Sequence, residues 1–415
     1  YNISSVVQPG ESSVTTTVQS GQDFVIVNSV LLKVPSNLIT GLVFEDVNYP
    51  GGAGRNAAVS IGMPVVGARV ELFDSAGNVN RVTTTGTDGK YIVGGMANGT
   101  YRARVVNATV KSTRGGGIAC ATCLPVQTFR RFYNAGGFVN VPNEVGGANP
   151  AAQDPGINTL TGAQSVSSVL VLSNGIVGID FGFNFNTIVN TNQIGQGSLN
   201  QFIVNANNLD ETGLDIGANS IFDPAAGEDT SIFMIPPTGD ALGRSASTTY
   251  SNGYFDIFIT DAQQLATMTA SNTIVDGRTQ TAYSGNTNLG ALGGGGSVVG
   301  VTGTTLFSFN RPEIQVHRNG GDVFTTQGNN VTIRNLAIYA NDKAGIRVNA
   351  GLTFIFENII GVNALGIKSG AIQYGTEVRG GTARMARNFY NGSDIAAIRI
   401  NGGSNSIVTG FEPAF

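Results

Sequence analysis

The sequence predicts an all-β protein: a β-sandwich followed by a stacked coil of short β-strands. Three observations lead to this prediction. Charged residues make up only 12% of the 415 residues, whereas the exposed faces of helices normally carry Lys, Arg and Glu. Glycine is abundant, at 58 residues, and shows no collagen-like period. Short Val- and Ile-rich segments alternate with turns rich in Gly and Asn, the pattern of strands joined by tight turns.

The composition also excludes several classes of protein. The hydrophobic content of 41% is too high for a disordered chain. The net charge is −4 and no run of Lys and Arg occurs, so no basic face for nucleic acid is expected. No apolar stretch approaches the roughly 18 residues of a membrane span. Because neither YNISSVV at the start nor VTGFEPAF at the end resembles a natural terminus, we expect part of a longer protein.

We divide the chain into three parts. Residues 1–36 alternate Ser, Thr and Val, which predicts two strands that end a preceding domain or extend the next one. Residues 37–186 form the predicted sandwich, with residues 108–165 as a long insertion. Residues 187–415 form the predicted β-helix, which we expect to be truncated at its C-terminal end.

The clearest strand of the predicted sandwich is PVVGARVELFD, at residues 64–74. Its period of two places apolar side chains on one face, and Arg69 and Glu71 on the other. We therefore expect Arg69 and Glu71 to face solvent. The residues predicted to face the core are Val66, Ala68, Val70 and Leu72.

Five phrases of this region occur in a characteristic order. They are FEDVN at 44–48, GMPVVG at 62–67, TDGKY at 87–91, MANGTY at 96–101 and DFGF at 180–183. This order resembles the B-type repeats of Gram-positive adhesins of the Sdr and collagen-adhesin kind. The resemblance implies a transthyretin-like sandwich over about a third of the chain.

Two features depart from that family. Members that bind calcium carry further acidic residues after the D-x-N phrase, whereas here Pro50 follows directly on Asn48 and Tyr49. Asp46 and Asn48 are thus the only candidate calcium ligands of this phrase, for an ion that prefers six to eight oxygens. Members with a Lys–Asn isopeptide bond place a lysine in the first strand, and ITGLVFEDV has none, since Lys33 precedes the predicted sandwich.

The second half of the chain contains a repeat. Residues 329–341 and 350–363 align with Val331 opposite Leu352, and residues 342–351 align with 394–403. Repeats of 20 to 30 residues built from short strands and polar turns predict a stacked β-coil, in which each rung buries the apolar side of its neighbour. Asn at the turns tolerates a left-handed backbone and is able to form ladders between rungs.

One helix precedes this repeat. In GSLNQFIVNAN, residues 197–207, Ser198 is the predicted N-cap, and apolar residues follow at helical spacing. Residues 191–207, together with VDGRTQ at 275–280, resemble the start of the right-handed parallel β-helix in large surface proteins of Bacteroidota. That resemblance implies that residues 187–415 form a right-handed parallel β-helix with a short N-terminal capping helix. It also implies export by the type 9 pathway, through a C-terminal signal that this sequence does not contain.

Parallel β-helices also occur in polysaccharide-cleaving enzymes. Polygalacturonase-like enzymes resemble one another in N-x-D, an adjacent Asp pair, G-H-G and R-x-K, and the β-helix half has none of the last three. His317 in VHRNGG is the single histidine and more closely fits a turn or loop. Paired catalytic carboxylates lie about 5 to 10 Å apart, and the acidic residues here show no common column. The acids that could form such a pair are Asp322, Asp342, Glu357 and Asp394. The residues that could serve as the base of a lyase are Arg334, Arg347 and Arg399.

Acidic residues concentrate in one loop of this charge-poor chain. Residues 210–229 hold six of them, which either bind calcium through oxygen ligands at irregular spacing or form a solvated loop. We expect no obligatory cofactor, and calcium is the ion for which the sequence offers ligands. The candidates in this loop are Asp210, Glu211, Asp215, Asp223, Glu228 and Asp229.

Two further sites are predicted in the sandwich. Cys120 and Cys123 are the only cysteines and lie in a Gly-rich loop, where they form a small disulfide or remain as two idle thiols. Asp74-Ser75-Ala76 fits the short acceptor pattern for O-glycosylation in Bacteroidota, which makes Ser75 a candidate.

Together these observations predict a non-enzymatic adhesin, secreted or on the bacterial cell surface. Its expected partners are extracellular glycans or surface proteins, and the secretion and anchoring machinery of the outer membrane. One alternative is a polysaccharide-cleaving enzyme. The other is a self-associating subunit of an extracellular filament or surface layer, which would use open strand edges for pairing.

Overall fold

The computed structural model describes residues 37–172, 174–293, 308–370 and 372–402, and the backbone of a strand at 408–409. The strands predicted within residues 1–36 lie outside the described residues. The all-β class is confirmed: the described chain contains short strands throughout and three short α-helices. The helices are α1 Ala57–Ser60, α2 Leu199–Ala206 and α3 Arg278–Ser284, and a 3-10 turn spans Asn107–Thr109.

The first part of the chain forms one continuous hydrogen-bonded set of strands. β1 joins the layers of this part, because its first half pairs with β5 and β10 and its second half pairs with β2 and β11. Apolar side chains from β1, β3, β5, β6, β9 and β11 share a single core. The strands are β1 Ile39–Glu45, β2 Met63–Pro64, β3 Arg69–Phe73, β4 Val79–Thr84, β5 Lys90–Val93, β6 Gly99–Val105, β7 Val126–Asn134, β8 Gly137–Val141, β9 Val166–Val171, β10 Ile176–Val177 and β11 Phe181–Asn184.

The burial of side chains in and just before β3 departs from the prediction at two residues. Ala68, Val70 and Leu72 are buried as predicted, but Val66 is 48% exposed, and Glu71, predicted to face solvent, is fully buried. The insertion supplies β7 and β8 to the sheet and also covers Glu71. The guanidinium of the buried Arg104 lies 3.0 Å from a carboxylate oxygen of Glu71 and 3.0 Å from one of Asp154, which belongs to the insertion. Burial of Glu71 is therefore possible because an arginine compensates its charge.

The second part is a coil of parallel strands with three faces. Most of its strands enter three sheets in turn and pair in parallel with the strand one rung later. The short strands Tyr250–Ser251 and Ala291–Gly293 instead pair antiparallel with their neighbours. Its right-handed sense remains a prediction. The strands are β12 Thr187–Ile188, β13 Asp229–Thr230, β14 Ile232–Phe233, β15 Tyr250–Ser251, β16 Tyr254–Ile259, β17 Thr273–Asp276, β18 Ala291–Gly293, β19 Ser308–Asn310, β20 Ile314–Arg318, β21 Phe324–Thr326, β22 Val331–Arg334, β23 Ala337–Ala340, β24 Ala344–Val348, β25 Leu352–Phe356, β26 Ile359–Ile360, β27 Ile372–Val378, β28 Thr382–Ala386, β29 Phe389–Tyr390, β30 Ser393–Ile400 and β31 Val408–Thr409.

The register of the rungs confirms one predicted alignment and corrects another. Ile346 pairs with Thr376, which pairs with Ile398, so the alignment of residues 342–351 with 394–403 spans two rungs as predicted. Val331, however, pairs with Thr353 and not with Leu352, so the predicted offset was wrong by one residue. Thr353 is buried inside the coil because its hydroxyl lies 2.7 Å from that of Thr326.

Asparagines connect the rungs at one corner, as predicted. The side-chain nitrogen of Asn358 donates to the carbonyl of Ile333, and that of Asn388 donates to the carbonyl of Ile355. The residue before each asparagine, Glu357 or Arg387, has a positive φ, of 56° and 52° respectively. The corner thus uses left-handed backbone at non-glycine residues, which costs about 1–2 kcal/mol each and is held by the stacked rungs.

The rungs differ in length. The step from Leu336 to Asn358 is 22 residues, and the next step, from Asn358 to Asn388, is 30 residues. The longer rung carries its additional residues in the loop between β26 and β27. Ala364 of this loop and Leu292 of β18 pack over Ala337 and Ile359, on the outer side of the coil.

Helix α2 covers the apolar end of the coil, as predicted. Its N-cap Ser198 accepts a hydrogen bond from the backbone N–H of Gln201 at 3.1 Å. Leu199, Phe202 and Ile203 are buried in the same core as the strands of the coil. The amphipathic pattern of this segment is thereby explained, since one face of α2 closes the core.

A buried ion pair joins the two parts of the chain. Arg114, in the insertion, lies 2.8 Å from Asp229 at the start of β13, and it donates to the side-chain oxygen of Asn186 at 3.0 Å. Both charged side chains are almost fully buried, at 1% and 2% exposed. Nearby, the buried carboxylate of Glu45 accepts hydrogen bonds from the backbone and hydroxyl of Thr113.

Candidate functional site

A groove crosses the outer face of the sheet formed by β13, β17, β22, β25 and β28. Its volume is about 310 Å³. One end is bounded by the acidic loop, through Asp223 and Glu228, and the floor is formed by side chains of successive rungs. The lining residues are Asp223, Pro224, Glu228, Thr230, Ile274, Asp276, Arg278, Thr332, Arg334, Phe354 and Phe356.

The register of the sheet aligns these side chains in two columns. Ile274, Thr332 and Phe354 are neighbours in three successive strands, and Asp276, Arg334 and Phe356 form the second column two residues further along. Paired strands lie about 4.8 Å apart. The groove therefore presents a regular series of side chains rather than a single pocket.

Two phenyl rings form the apolar part of the floor. The centroids of Phe354 and Phe356 lie 5.7 Å apart, with planes tilted by 47°. The guanidinium of Arg384, one rung later, lies 5.8 Å from the Phe354 centroid. Both rings are partly exposed, because they lie on the face of the strand that is turned away from the core.

Ion pairs fix the charged walls of the groove. Arg278 binds Asp276 through two of its nitrogens, at 3.0 and 2.5 Å, and Arg334 lies 2.7 Å from Glu357, which also binds Arg387. Burial lowers the pKa of Arg278, but the hydrogen bonds and charge of Asp276 raise that pKa above its ordinary value by more. Arg278 thus remains charged, and the ion pairs hold Arg278 and Arg334 in fixed orientations.

One polar group of the groove lacks an internal partner. Thr230 is 1% exposed, lines the groove, and makes no hydrogen bond through its hydroxyl within the described residues. A buried hydroxyl without a partner costs about 1–3 kcal/mol. A ligand hydroxyl or a water molecule in the groove would satisfy it.

The predicted calcium ligands of the 210–229 loop are distributed over separate places. Asp223 and Glu228 line the groove, and Glu228 accepts from the backbone of Ala225 at 2.7 Å. Asp229 is taken up by the buried pair with Arg114. Glu211 is half-buried, and Asp215 is exposed.

The other calcium candidates are engaged by the chain itself. Asp210 accepts from the backbone of Gly115 and of Thr212, and the hydrogen bonds from Thr212 hold its pKa below the ordinary value. Asn48 bonds with the backbone of Gly213 and Asp215. Burial raises the pKa of Asp46, opposed by the guanidinium of Arg55, which binds this carboxylate. Among the described residues, no three acidic, His or Cys side chains come close enough to share a metal ion.

The remaining predicted residues of the sandwich lie away from the groove. Cys120 and Cys123 are joined by a disulfide bond, and both pack against the core of the first part. Ser75 is exposed in the turn between β3 and β4, a position accessible to modification.

The residues considered for catalysis lie on three different faces of the coil. Arg334 lines the groove. Arg347 and Arg399 lie on the sheet of β24, β27 and β30, on either side of the buried Glu377, at 2.9 and 3.5 Å from its carboxylate oxygens. His317 lies on β20, where its Nε2 is 3.0 Å from an oxygen of Asp256. Asp322 pairs with Arg347 and Asp394 with Lys368, whereas Asp342 has a left-handed backbone with φ 71°.

Sequence analysis missed the two phenylalanines and Thr230. LTFIF is a continuous apolar run, and period two alone does not show which of its faces is turned inward. The neighbouring strands offer a signal, because VTIR carries Thr332 and Arg334 at the positions that pair with Phe354 and Phe356, and TARMA carries an arginine opposite Phe354.

Comparison with models of protein families and with curated proteins found no match to this chain. None of the helices in the described part of the chain has the length and apolar character needed to cross a membrane.

Proposed function

We propose that the protein is a non-enzymatic adhesin, secreted or displayed on the bacterial cell surface, that binds glycans along the groove over β17, β22 and β25. The observation that carries this proposal is the pair of partly exposed phenyl rings, Phe354 and Phe356, set among fixed charged and hydroxyl groups on the outer face of the coil. Aromatic side chains exposed beside oriented polar groups are typical of binding sites.

The chemistry of a sugar matches this combination. One face of a pyranose ring presents C–H groups that pack on an aromatic ring. Its hydroxyls donate to carboxylates such as Asp276 and accept from guanidinium groups such as Arg334, which form charge-assisted hydrogen bonds. Thr230 offers a further hydroxyl for bonding at the end of the groove. Repeated rungs favour a polymer, because several weak contacts combine along its length.

Two features support an extracellular location. The disulfide between Cys120 and Cys123 is of a kind that persists in oxidising compartments. The resemblance of the second part to the β-helix of Bacteroidota surface proteins implies export by the type 9 pathway and display on the outer membrane. On this proposal the first part is a stalk or spacer, and the coil presents the binding surface.

Retention on a panel of immobilised neutral and acidic polysaccharides tests the proposal, with calcium and with a chelator. We expect one or more glycans to retain the chain, and replacement of both Phe354 and Phe356 by Ala to reduce the affinity at least about tenfold, since each ring contributes on the order of 1 kcal/mol. Phe138→Ala is the matched control, because this ring is 39% exposed on β8, far from the groove.

Three outcomes would contradict the proposal. Fragments of the glycan detected by mass spectrometry would indicate the polysaccharide-cleaving enzyme instead. Equal retention of the double variant and the wild-type chain would place glycan binding elsewhere. A chain that is not retained on any glycan, but sediments as a concentration-dependent oligomer, would favour the filament or surface-layer subunit.

A further inference from the structure

We propose a second binding site on another face of the coil: a cleft beside Phe258 and Asp256 that binds the guanidinium group of an arginine side chain presented by a protein partner. The cleft has a volume of about 730 Å³. It lies at the edge of the sheet of β16, β20 and β23, whereas the groove crosses the sheet of β17, β22 and β25. Its lining residues are Thr191, Asn192, Gln193, Ile194, Thr248, Thr249, Asp256, Phe258 and Gln263.

Three flat rings stack across the strands at this place. Phe258 pairs in register with His317, and His317 pairs with Tyr339. The ring centroids are 4.6 Å apart at both steps, with interplanar angles of 19° and 16°. This spacing is close to the separation of paired strands, so the sheet itself sets the stack.

The stack ends at Phe258, and the cleft begins there. The strand on the other side of β16 is β15, and it pairs only with Tyr254 and Phe255. It therefore stops before it reaches Phe258. His317 covers one face of the phenyl ring, and the ring also lines the cleft, so a flat group in the cleft would continue the stack by one step.

Asp256 supplies charge at the same position. Its carboxylate accepts a hydrogen bond from the side-chain nitrogen of Gln315 at 2.7 Å and lies 3.0 Å from Nε2 of His317. The side chain of Asp256 is still 35% exposed, and a carboxylate has about four acceptor positions. The carboxylate is therefore able to accept further hydrogen bonds from a group in the cleft. Of the described residues that line the cleft, Asp256 is the one with a charge.

His317 shows which kind of group fits. It is a planar nitrogen-bearing ring that lies flat on Phe258 and contacts the carboxylate of Asp256. A guanidinium on the opposite face of Phe258 would repeat both contacts, because it is planar, stacks on aromatic rings and pairs with carboxylates through a fork of N–H donors. Lysine has no plane to stack, and an anion would be repelled by Asp256.

The rim of the cleft offers acceptors for the N–H donors of the guanidinium that do not bind Asp256. The hydroxyls of Thr191 and Thr249 lie 2.9 Å apart, and the side-chain oxygen of Gln193 already accepts from Thr260. Hydroxyl oxygens accept N–H groups without adding charge, so the cleft offers one full negative charge and several neutral acceptors. This set matches a single cation with many donors.

Titration calorimetry of the full chain with a blocked Gly-Arg-Gly peptide tests the site. We expect binding that weakens at least about tenfold when citrulline replaces arginine, since citrulline keeps the shape and loses the charge. Lysine in place of arginine weakens binding through the loss of stacking. Asp256→Asn, which preserves shape, and Phe258→Leu, which removes the ring, each reduce the affinity for the arginine peptide by about the same factor.

The controls separate this site from the groove. Phe354→Ala leaves binding of the arginine peptide unchanged, and Asp256→Asn leaves retention on glycans unchanged. Failure of one proposed site is therefore distinguishable from failure of the other. Circular dichroism verifies that each variant is folded. Absence of arginine binding, equal binding of the citrulline peptide, or an unaffected Asp256→Asn variant would overturn the proposal, as would a glycan that loses its affinity in Asp256→Asn and Phe258→Leu.

Discussion

Replacing Arg114 by Met removes the cation at the junction between the two parts of the chain. The guanidinium binds Asp229 at 2.8 Å and Asn186 at 3.0 Å, and both charged side chains are almost fully buried. The variant keeps the apolar stem of the arginine but leaves the carboxylate of Asp229 buried without a counter-charge. It also removes a charge that favours ionisation of the buried Glu45.

The expected loss follows from these geometries. Removing one partner of a buried ion pair costs about 3–5 kcal/mol, because the other charge stays desolvated. The free energy of unfolding of a domain is about 5–15 kcal/mol, so the loss is a large fraction of the total. The double variant Arg114→Met, Asp229→Leu removes both charges and should recover much of the loss, since a buried pair is often replaceable by apolar residues.

Urea denaturation followed by circular dichroism measures the effect, with Arg81→Met as the matched control. Arg81 is exposed, so its variant should remain within about 0.5 kcal/mol of the wild-type chain. A loss below about 1 kcal/mol for Arg114→Met would refute the reasoning. A double variant that is less stable than the single variant would show that the pair itself, rather than its orphaned charge, stabilises the junction.

Three further predictions concern stability. Burial raises the pKa of Glu45, opposed by the charge of Arg114 and by hydrogen bonds from Thr113 and Ser112. The contribution of Glu45 to stability is therefore present at low pH and is lost as the pH rises through its raised pKa in the folded state. The fall in the urea midpoint above the ordinary pKa of Glu should be smaller in Glu45→Gln, and an unchanged pH profile would contradict this. Ile333→Ala, which empties a fully buried position in the coil, should cost about 2–5 kcal/mol in thermal or urea unfolding, whereas Ile395→Ala, at a position 62% exposed, should cost under about 1 kcal/mol; equal losses would refute the assignment of the core. Replacing Cys120 and Cys123 by Ser should cost less than about 3 kcal/mol, because the disulfide closes a very short loop, and a larger loss would show that the bond holds more than this loop.

Parts of the fold follow from the sequence because local and global signals agree there. The N-cap Ser198 and the apolar positions of α2 predict both the helix and its buried face. The pairing of Ile346 with Thr376 and then Ile398 follows from the repeat. The register at Thr353 does not, because a threonine reads as polar, and the hydroxyl of Thr326 that allows its burial comes from another face of the coil.

The same limit applies to the charges and to the candidate site. Glu71 reads as exposed at period two, and its burial depends on Arg104 and on an insertion that lies far away in sequence. The acidic loop reads as one cluster, yet its backbone directs Asp229 to the junction and Glu228 to the groove. Phe354 and Phe356 become candidates only when the register shows that they face outward.

The unequal rungs show that the length of a corner loop is independent of the pairing of the strands. Between Asn358 and Asn388 the chain takes 30 residues for a step that the preceding rung makes in 22, and yet Asn358 still bonds to Asn388 and the strands remain in register. The additional residues leave at the corner after β26 and return before β27. The loop at this corner is therefore able to lengthen or shorten without disturbing the pairing of the stacked strands, so the length of a rung is set at its corner and its register is set by its strands.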